Sequence, residues 1–245
     1  MKKEVVCIIQ ARIGSERLPG KVIKELCGIP MIEHIVKRLK KARTIDKIIV
    51  ATSANTENDI LAQKIQNTDA VLFRGNEEDV LRRYVDAVKA IGGDYIIRVT
   101  GDCPLVSAEV IDELAEKFVS SNVDYMRVDV PDTFARGFDA EIFTKEALMK
   151  ANQLAHKEMY REHVTLYMYR HPEIFSVSKL VAKEEWRRPH YRLCVDTPED
   201  FEVVSNIYNG LYEEGSYFTV DEIIRYLDAH PEVASINQDI VQKHV

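Results

Sequence analysis

Short apolar runs alternate with helical patterns along residues 5–100, and this alternation restricts the fold more than any other feature. The apolar runs cover 5–9, 47–52, 70–73 and 95–100, and apolar side chains recur at helical spacing over 31–39, 56–65 and 77–91. Strands that alternate with helices through short connections predict a doubly wound, mostly parallel sheet with helices on both faces. We therefore expect an α/β, Rossmann-like fold whose ligands bind at the carboxyl ends of the strands.

The pattern is looser in the second half of the chain, but it still predicts several elements. Ser107 and Thr144 stand where an N-cap begins a helix, and Pro198 suits the first turn of another. The expected helices are 107–119, 144–155, 159–169, 198–211 and 220–229, and the expected strands are 124–129, 140–143, 175–181 and 191–195. The charged segment 183–190 is expected to be exposed. Residues 1–245 suit a single domain, with a small lobe at about 130–185.

Composition excludes some classes of function. The net charge of −7 disfavours a general nucleic-acid binder. No apolar run has the length of a membrane span, and the start Met-Lys-Lys-Glu lacks the apolar core of a signal peptide. The four cysteines show no metal-type spacing, so we expect reduced thiols in a cytoplasmic protein.

A basic, glycine-bearing loop, residues 10–21, follows the first apolar run. Glycines let the backbone approach an anion, and exposed N–H groups and cations balance its charge, so the loop suits a polyphosphate. It is not a P-loop, because five residues separate Gly14 from Gly20 and Val22 follows Lys21 where a hydroxyl would hold magnesium. Metal ligands would have to come from elsewhere. The alternative is a solvated basic turn.

Two carboxylates stand at the ends of apolar runs, where a parallel sheet presents its ligand site. Asp102 follows run 95–100, and Asp196 follows run 191–195. Mg²⁺ prefers carboxylate, water and phosphate oxygens, so the pair could hold magnesium against a triphosphate. The alternative for Asp196 is an N-cap of the next helix, and Asp102 could be a turn residue. His163 lies alone on an expected helix, where a structural role is the commoner one.

Three separated motifs, taken together, resemble the cytidylyltransferases that activate acidic sugars, the CMP-KDO and CMP-sialic acid synthetase superfamily. The motifs are Arg12-Ile13-Gly14-Ser15-Glu16-Arg17-Leu18-Pro19-Gly20-Lys21, Arg98-Val99-Thr100-Gly101-Asp102-Cys103-Pro104-Leu105 and Val195-Asp196-Thr197-Pro198-Glu199-Asp200. Phe73-Arg74-Gly75, Asp79-Val80-Leu81 and Arg161-Glu162-His163-Val164-Thr165 resemble the branch named after spore coat polysaccharide biosynthesis protein F. The resemblance spans roughly residues 4–210.

The resemblance implies a nucleotide-diphosphosugar-transferase fold and a nucleotide site. It implies that Arg12 and Lys21 contact the triphosphate and that Asp102 and Asp196 are Mg²⁺ ligands. The remaining residues that it places around the nucleotide are Ala11, Gly14, Ser15, Arg17, Thr52, Arg74, Thr100 and Gly101.

The resemblance is weaker on the side of the acceptor sugar. Residues 136–141 do not match the sugar-binding segment of the KDO enzymes, so the sugar is not identified. Arg136, Asp139, Glu141 and His163 are the acceptor-binding candidates. The resemblance also implies a homodimer through the lobe, whose aromatic residues suit a partner surface or the lobe's own core. These are Phe134, Phe138, Tyr160, Tyr167, Tyr169 and Phe175.

The leading hypothesis is a Mg²⁺-dependent nucleotidyltransferase that moves CMP from CTP to an acidic or phosphorylated sugar and releases pyrophosphate. Catalysis would rest on positioning and charge neutralisation by Arg12, Lys21, Asp102 and Asp196, with no covalent intermediate. A non-catalytic nucleotide-binding module is one alternative, although it would not need paired metal carboxylates. A glycosyltransferase is another, although its usual Asp-x-Asp motif is missing.

Overall fold

The computed structural model describes residues 2–242, and a seven-stranded sheet runs through it. The strands are β1 Val5–Gln10, β2 Glu25–Leu26, β3 Ile29–Pro30, β4 Lys47–Ser53, β5 Val71–Gly75, β6 Tyr95–Thr100, β7 Tyr125–Val128, β8 Glu141–Thr144 and β9 Val177–Leu180. Strands β2 and β3 pair separately, and the main sheet has the order β5-β4-β1-β6-β8-β7-β9. Within the main sheet, β8 runs antiparallel to both of its neighbours and every other pairing is parallel, which confirms the predicted mostly parallel sheet.

Helices cover both faces of this sheet, as predicted. They are α1 Met31–Leu39, α2 Asp59–Gln66, α3 Val80–Ile91, α4 Ala108–Ser121, α5 Lys145–Leu154, α6 Glu158–Glu162, α7 Leu166–Arg170, α8 Pro198–Leu211, α9 Val220–Ala229 and α10 Pro231–Ala234. Ser107 and Thr144 are the N-caps of α4 and α5, as their positions in the sequence indicate.

The alternation of side chains along β1 divides the core into two layers. Val5, Cys7 and Ile9 pack in a cluster with α1, α4, α8 and α9. Val6 and Ile8 point to the opposite face, where α3 and α5 cover them. Because both faces of β1 are covered, its sequence is apolar at nearly every position.

Strand β1 lies between β4 and β6, and this position creates the functional edge of the sheet. Gln10 is paired with Thr100 in the β1–β6 register, so the loops that follow the two strands leave the sheet side by side. Gly101 permits this approach, because a Cβ at this position would lie 2.9 Å from the Cβ of Ala11. The basic loop and the Asp102 turn are therefore neighbours.

The predicted strand at 191–195 is wrong. In the described residues it is reduced to one isolated bridge between Arg192 and Arg136. The segment is apolar because Leu193 and Val195 are buried in the core, not because it joins the sheet. The backbone N–H of Val195 donates to the carbonyl oxygen of Asp102 at 2.7 Å, which docks the segment beside the end of β6.

Two other expectations are wrong in detail. The predicted helix 159–169 is two short helices, α6 and α7, because His163 leaves the helical conformation with φ −101° and ψ 61°. The segment 183–190 is not wholly exposed, since Trp186 is only 4% exposed. Its indole N–H donates to Asp221 on α9 at 3.1 Å. One large aromatic side chain anchors an otherwise charged segment.

The aromatic residues of region 130–185 divide into two groups. Phe134, Phe138 and Phe175 are almost fully buried within the chain, so they cannot form a partner surface. Tyr160, Tyr167 and Tyr169 remain partly exposed.

Two sequence expectations concern the chain as a whole. All four cysteines are free thiols. Within residues 2–242, every helix is too short or too polar to cross a bilayer.

A buried histidine makes the stability of this fold depend on pH. His34 on α1 is 2% exposed and packs against the rings of Tyr208 and Tyr212. Burial lowers the pKa of His34 to about 4, although the carbonyl of Leu26 accepts a hydrogen bond from its ring. The unfolded chain therefore binds a proton below pH ~6.5 that the folded chain binds only near pH 4.

We expect the free energy of unfolding to fall by about 3 kcal/mol as the pH drops through this window. Urea unfolding at neutral pH and at pH values down to about 4 measures this loss. His34→Gln is expected to flatten the dependence, whereas His156→Gln, at an exposed position, is the matched control. Equal pH dependence in the parent and in His34→Gln would contradict the assignment.

Candidate active site

An open cleft of about 740 Å³ lies over the carboxyl ends of β1 and β6. The predicted nucleotide residues Ala11, Arg12, Gly14, Ser15, Arg17, Lys21, Thr100 and Gly101 line it together with Asp102 and Asp196. Residues far apart in the sequence therefore meet here, as expected of a doubly wound sheet.

The basic loop is fastened at its centre and at its end. The side-chain carbonyl of Asn58, which is fully buried, accepts a hydrogen bond from the N–H of Ile13 at 2.9 Å. Gly20 has φ 67°, a left-handed conformation that glycine adopts without strain, and its N–H donates to the carbonyl of Ile13 at 3.2 Å. Asn58 is missing from the sequence prediction because nothing in its local pattern indicates a contact with residue 13.

Lys21 lies between the two predicted metal carboxylates. Its Nζ is 3.1 Å from Oδ2 of Asp102 and 2.8 Å from Oδ1 of Asp196. Because both oxygens contact one nitrogen, they are at most about 6 Å apart. Nζ also donates to the carbonyl of Val195 at 2.8 Å. The convergence of Asp102 and Asp196, which the fold predicts, is thus present.

Asp196 is fixed from its other side by two arginines. Its Oδ2 lies 2.9 Å from a guanidinium nitrogen of Arg17 and 2.9 Å from one of Arg192. Asp196 is not the N-cap of α8, since Thr197 accepts the hydrogen bond from the N–H of Asp200 in a capping box. Asp196 is therefore free of a capping role, and its Oδ1 faces the cleft at Lys21.

Opposite charges favour the ionised forms of Lys21 and Asp102. Burial alone would lower the pKa of Lys21, but the charges of Asp102 and Asp196 outweigh it and raise that pKa. Burial likewise opposes ionisation of Asp102, yet the charge of Lys21 and a hydrogen bond from Thr100 hold its pKa below the usual value. The cluster is therefore a charge-stabilising group and a poor proton shuttle.

The two aspartates fit a divalent cation of the Mg²⁺ type. Each turns one oxygen toward the same point, and that point already receives the ammonium group of Lys21. Mg²⁺ commonly uses one or two carboxylates and completes its octahedron with water and phosphate oxygens. No cluster of three or more acidic, histidine or cysteine side chains suited to a metal occurs in the described part of the chain. Water and phosphate oxygens would complete the coordination around the two carboxylates.

Comparison with known proteins identifies the family. The model of the cytidylyltransferase family matches residues 6–224. The chain belongs to the cytidylyltransferase family. It is 34% identical over 238 residues to the spore coat polysaccharide biosynthesis protein SpsF of Bacillus subtilis, covering 95% of this chain and 97% of that protein.

Solved structures of cytidylyltransferases share this fold. A cytidylyltransferase from Leptospira borgpetersenii superposes with a TM-score of 0.90 at 28% identity, covering 99% of this chain and all of that chain. CMP:2-keto-3-deoxy-manno-octonic acid synthetase in complex with CTP superposes with a TM-score of 0.65 at 19% identity, covering 84% and 99%. The predicted enzyme class, a nucleotidyltransferase, is thus confirmed.

Three of the predicted nucleotide residues have other contacts in this cytidylyltransferase, and two of them lie away from the cleft. Arg12 lines the cleft as predicted, and its guanidinium lies 3.0 Å from Oε1 of Glu77, which also lines it. Thr52 is fully buried, and Arg74 is bound to Asp59 at 2.6 Å. Neither Thr52 nor Arg74 lines the cleft.

A small pocket of about 90 Å³ adjoins the cleft at Thr100 and contains two of the four acceptor candidates. Glu141 lines it, but its oxygens are already bonded to Arg98 at 2.7 Å and Tyr125 at 2.8 Å. Asp139 also lines it, and burial raises the pKa of this carboxyl. Oδ2 of Asp139 accepts a hydrogen bond from the N–H of Gly137 at 2.7 Å, and Oδ1 lies in a longer ion pair, 3.7 Å from Arg136.

The other two acceptor candidates lie outside both cavities. A guanidinium nitrogen of Arg136 lies 3.7 Å from Oδ1 of Asp139, so Arg136 acts on the small pocket only through its charge on Asp139. His163 ends α6 beside Glu162, with its pKa lowered by burial. The structure therefore does not bring Arg136 and His163 to the lining.

Sequence reasoning missed two arginines that the fold brings to these cavities. Arg161 on α6 lines the cleft and grips the carboxylate of Asp79, the N-cap of α3, with bonds of 2.9 and 2.7 Å. This contact joins the motif that begins at Asp79 to the motif that begins at Arg161, two of the motifs that resemble the spore coat protein F branch. Arg127 lines the small pocket and lies 5.3 Å from the ring of Tyr169. The sequence predicts that Arg127 lies on a strand, but only the sheet order, with β8 between β6 and β7, places it near Thr100.

Proposed function

We propose that this protein is a Mg²⁺-dependent cytidylyltransferase that transfers CMP from CTP to an acidic or phosphorylated sugar and releases pyrophosphate. One observation carries the proposal: in the lining of the cleft, Nζ of Lys21 lies 3.1 Å from a carboxylate oxygen of Asp102 and 2.8 Å from one of Asp196. A site that only binds a nucleotide has no need of two carboxylates beside the phosphates, because they would repel them without a metal ion.

The nucleotide is assigned to the large cleft. The backbone of the basic loop and the cations Arg17 and Lys21 supply the charge that a triphosphate requires. Arg12, held by Glu77, would reach the phosphates from the side of β5. The structural neighbour that was solved with CTP supports this choice of nucleotide, and so does the family.

The chain's own residues account for most of the chemistry. An acceptor hydroxyl oxygen attacks the α-phosphorus, the bond to the bridging oxygen breaks, and pyrophosphate leaves. Lys21 and Arg17 neutralise charge on the departing group, while the cleft holds the reactants in line. Mg²⁺ held by Asp102 and Asp196 would polarise the α-phosphate and acidify the attacking hydroxyl.

The small pocket is assigned to the acceptor. Among the residues that the structure describes, Oδ1 of Asp139 accepts no hydrogen bond shorter than its 3.7 Å ion pair with Arg136, and we assign it to a sugar hydroxyl or the proton of that hydroxyl. Within residues 2–242, the guanidinium of Arg127 has a ring contact but neither an ion pair nor a hydrogen bond, and it is half-buried. A half-buried unpaired cation suits a carboxylate or phosphate on the acceptor.

Pyrophosphate release tests the function. The purified protein is incubated with CTP and Mg²⁺ and with a panel of sugar acids and sugar phosphates, including 3-deoxy-manno-octulosonate. We expect release that requires CTP, an acceptor and Mg²⁺ together, with CMP-sugar as the second product. Tight CTP binding without release for any acceptor would favour a binding module, and consumption of a nucleotide sugar would favour a glycosyltransferase.

We also propose a homodimer in the cytoplasm. The partly exposed Tyr160, Tyr167 and Tyr169 give region 130–185 an aromatic surface that suits a second copy. The four free cysteines support a reducing compartment. Light scattering at micromolar concentration tests the assembly, and a monomer there would refute it.

A further inference from the structure

Arg192 is at the centre of a buried polar network behind Asp196. One of its nitrogens, Nη2, lies 2.9 Å from Oδ2 of Asp196 and 3.1 Å from Oδ2 of Asp200. Its Nε donates to Oδ1 of Asp200 at 2.8 Å. Asp200 has no exposed surface, and Arg192 is 9% exposed. The planar guanidinium therefore holds the two carboxylates in a fixed relation that a lysine cannot reproduce.

Asp200 also fixes the backbone that carries Asp196. Its Oδ2 accepts hydrogen bonds from the N–H groups of Asp196 at 2.9 Å and Thr197 at 3.1 Å. Asp196 is thus held at its side chain by Arg192 and at its main chain by Asp200. A carboxylate held in this way turns the same oxygen toward Lys21 in every molecule.

The outer part of this network comes from the end of the chain. Asn237 is 2% exposed, and its Nδ2 donates to the carbonyl of Arg192 at 2.9 Å and to Oδ1 of Asp200 at 2.8 Å. Oε1 of Gln242 accepts a hydrogen bond from Arg192 at 2.6 Å. Both residues lie beyond 6–224, the part that the family model matches.

We propose that Arg192 is the positioning residue for Asp196. Asp200 on α8 and Asn237 in the segment after α9 set the orientation of Arg192. The inference rests on the proposed role of Asp196 as a metal ligand. Partners behind a metal ligand fix its orientation, and removing them commonly weakens metal binding 10–100-fold. The segment after α9 then completes the site without touching a substrate.

Metal affinity measures this role directly. Mn²⁺ is titrated into the full-length protein with CTP present, and free Mn²⁺ is followed by electron paramagnetic resonance. Arg192→Lys and Asn237→Ala are each expected to raise the Kd for Mn²⁺ by about 10-fold or more. Asn206→Ala is the matched control, because this exposed amide on α8 donates only to the carbonyl of Glu202 in its own helix. We expect the control to bind Mn²⁺ like the parent protein.

Two further measurements separate the possible failures. Thermal melts of each variant ensure that the titrations are made on folded protein. If Arg192→Lys and Asn237→Ala melt at lower temperature but bind Mn²⁺ as the parent does, the network is only structural and the inference is wrong. If Asp196→Asn also binds Mn²⁺ as the parent does, the proposed metal role of Asp196 fails first.

Discussion

Replacing Lys21 by alanine is expected to lower kcat with CTP by about 10²–10³-fold, the range found when one preorganised charge-stabilising donor is removed. The ammonium group lies at the point where the carboxylates of Asp102 and Asp196 meet, beside the expected path of the departing pyrophosphate. Its contribution is made mainly in the transition state, because charge on the leaving group grows as the P–O bond breaks. The KM for CTP should therefore change less than kcat.

The same substitution has a consequence for stability. Lys21 is 12% exposed and its two carboxylate partners are also mostly buried, so its loss leaves two like charges within about 6 Å. We expect Lys21→Ala to melt at lower temperature than the parent without Mg²⁺ and to recover part of the difference when Mg²⁺ is added. Lys41→Ala, at an exposed position, is the control for both measurements.

Turnover of Lys21→Ala at the parental rate would show that the loop is structural. Loss of folding in this variant with and without Mg²⁺ would show the same. Steady-state kinetics beside thermal melts give both answers.

Asp102→Asn and Asp196→Asn are expected to reduce kcat/KM by about 10³-fold each, since a metal that polarises a phosphoryl oxygen contributes several kcal/mol. Asparagine keeps the volume of the side chain but removes the charge that holds a divalent cation. The double variant should lose little more than either single variant, because both residues act on the same ion.

Exposed carboxylates provide the comparison for this pair. Asp132 carries the same functional group on the surface beside Lys179, and Asp132→Asn is expected to leave kcat/KM unchanged. Activity of Asp102→Asn and Asp196→Asn that stays within a few-fold of the parent would exclude them as metal ligands. Strictly additive losses would show that they act on separate steps.

The sequence predicts the part of the fold that depends on local signals. Alternating apolar runs locate β1, β4, β5 and β6, and caps such as Ser107 and Thr144 locate helices, because both patterns lie within a few neighbouring residues. The approach of the basic loop to Asp102 also follows from the sequence, since the parallel strands β1 and β6 end at one edge of the sheet. Asp196 joins them for a different reason, because its segment is not a strand and is docked by the hydrogen bond from Val195 to Asp102.

The remainder depends on contacts that no local pattern contains. Trp186 is buried among charged neighbours because α9 offers it a partner, Asp221. Arg161 reaches Asp79, and Asn58 reaches Ile13, over distances in sequence that only the folded chain closes. Run 191–195 is apolar because its side chains are buried, although its backbone does not join the sheet. An apolar run alone does not show whether its backbone forms a strand.

The antiparallel strand β8 determines when the main sheet can be completed while the chain is being synthesised. It lies between β6 and β7 in the sheet, although it follows β7 in the sequence. A growing chain that ends before residue 141 leaves β6 as an open edge with unpaired backbone groups, and open edges of apolar strands promote aggregation. Until β8, Glu141–Thr144, has been synthesised and has paired with β6, the nascent chain is therefore prone to aggregate through this edge.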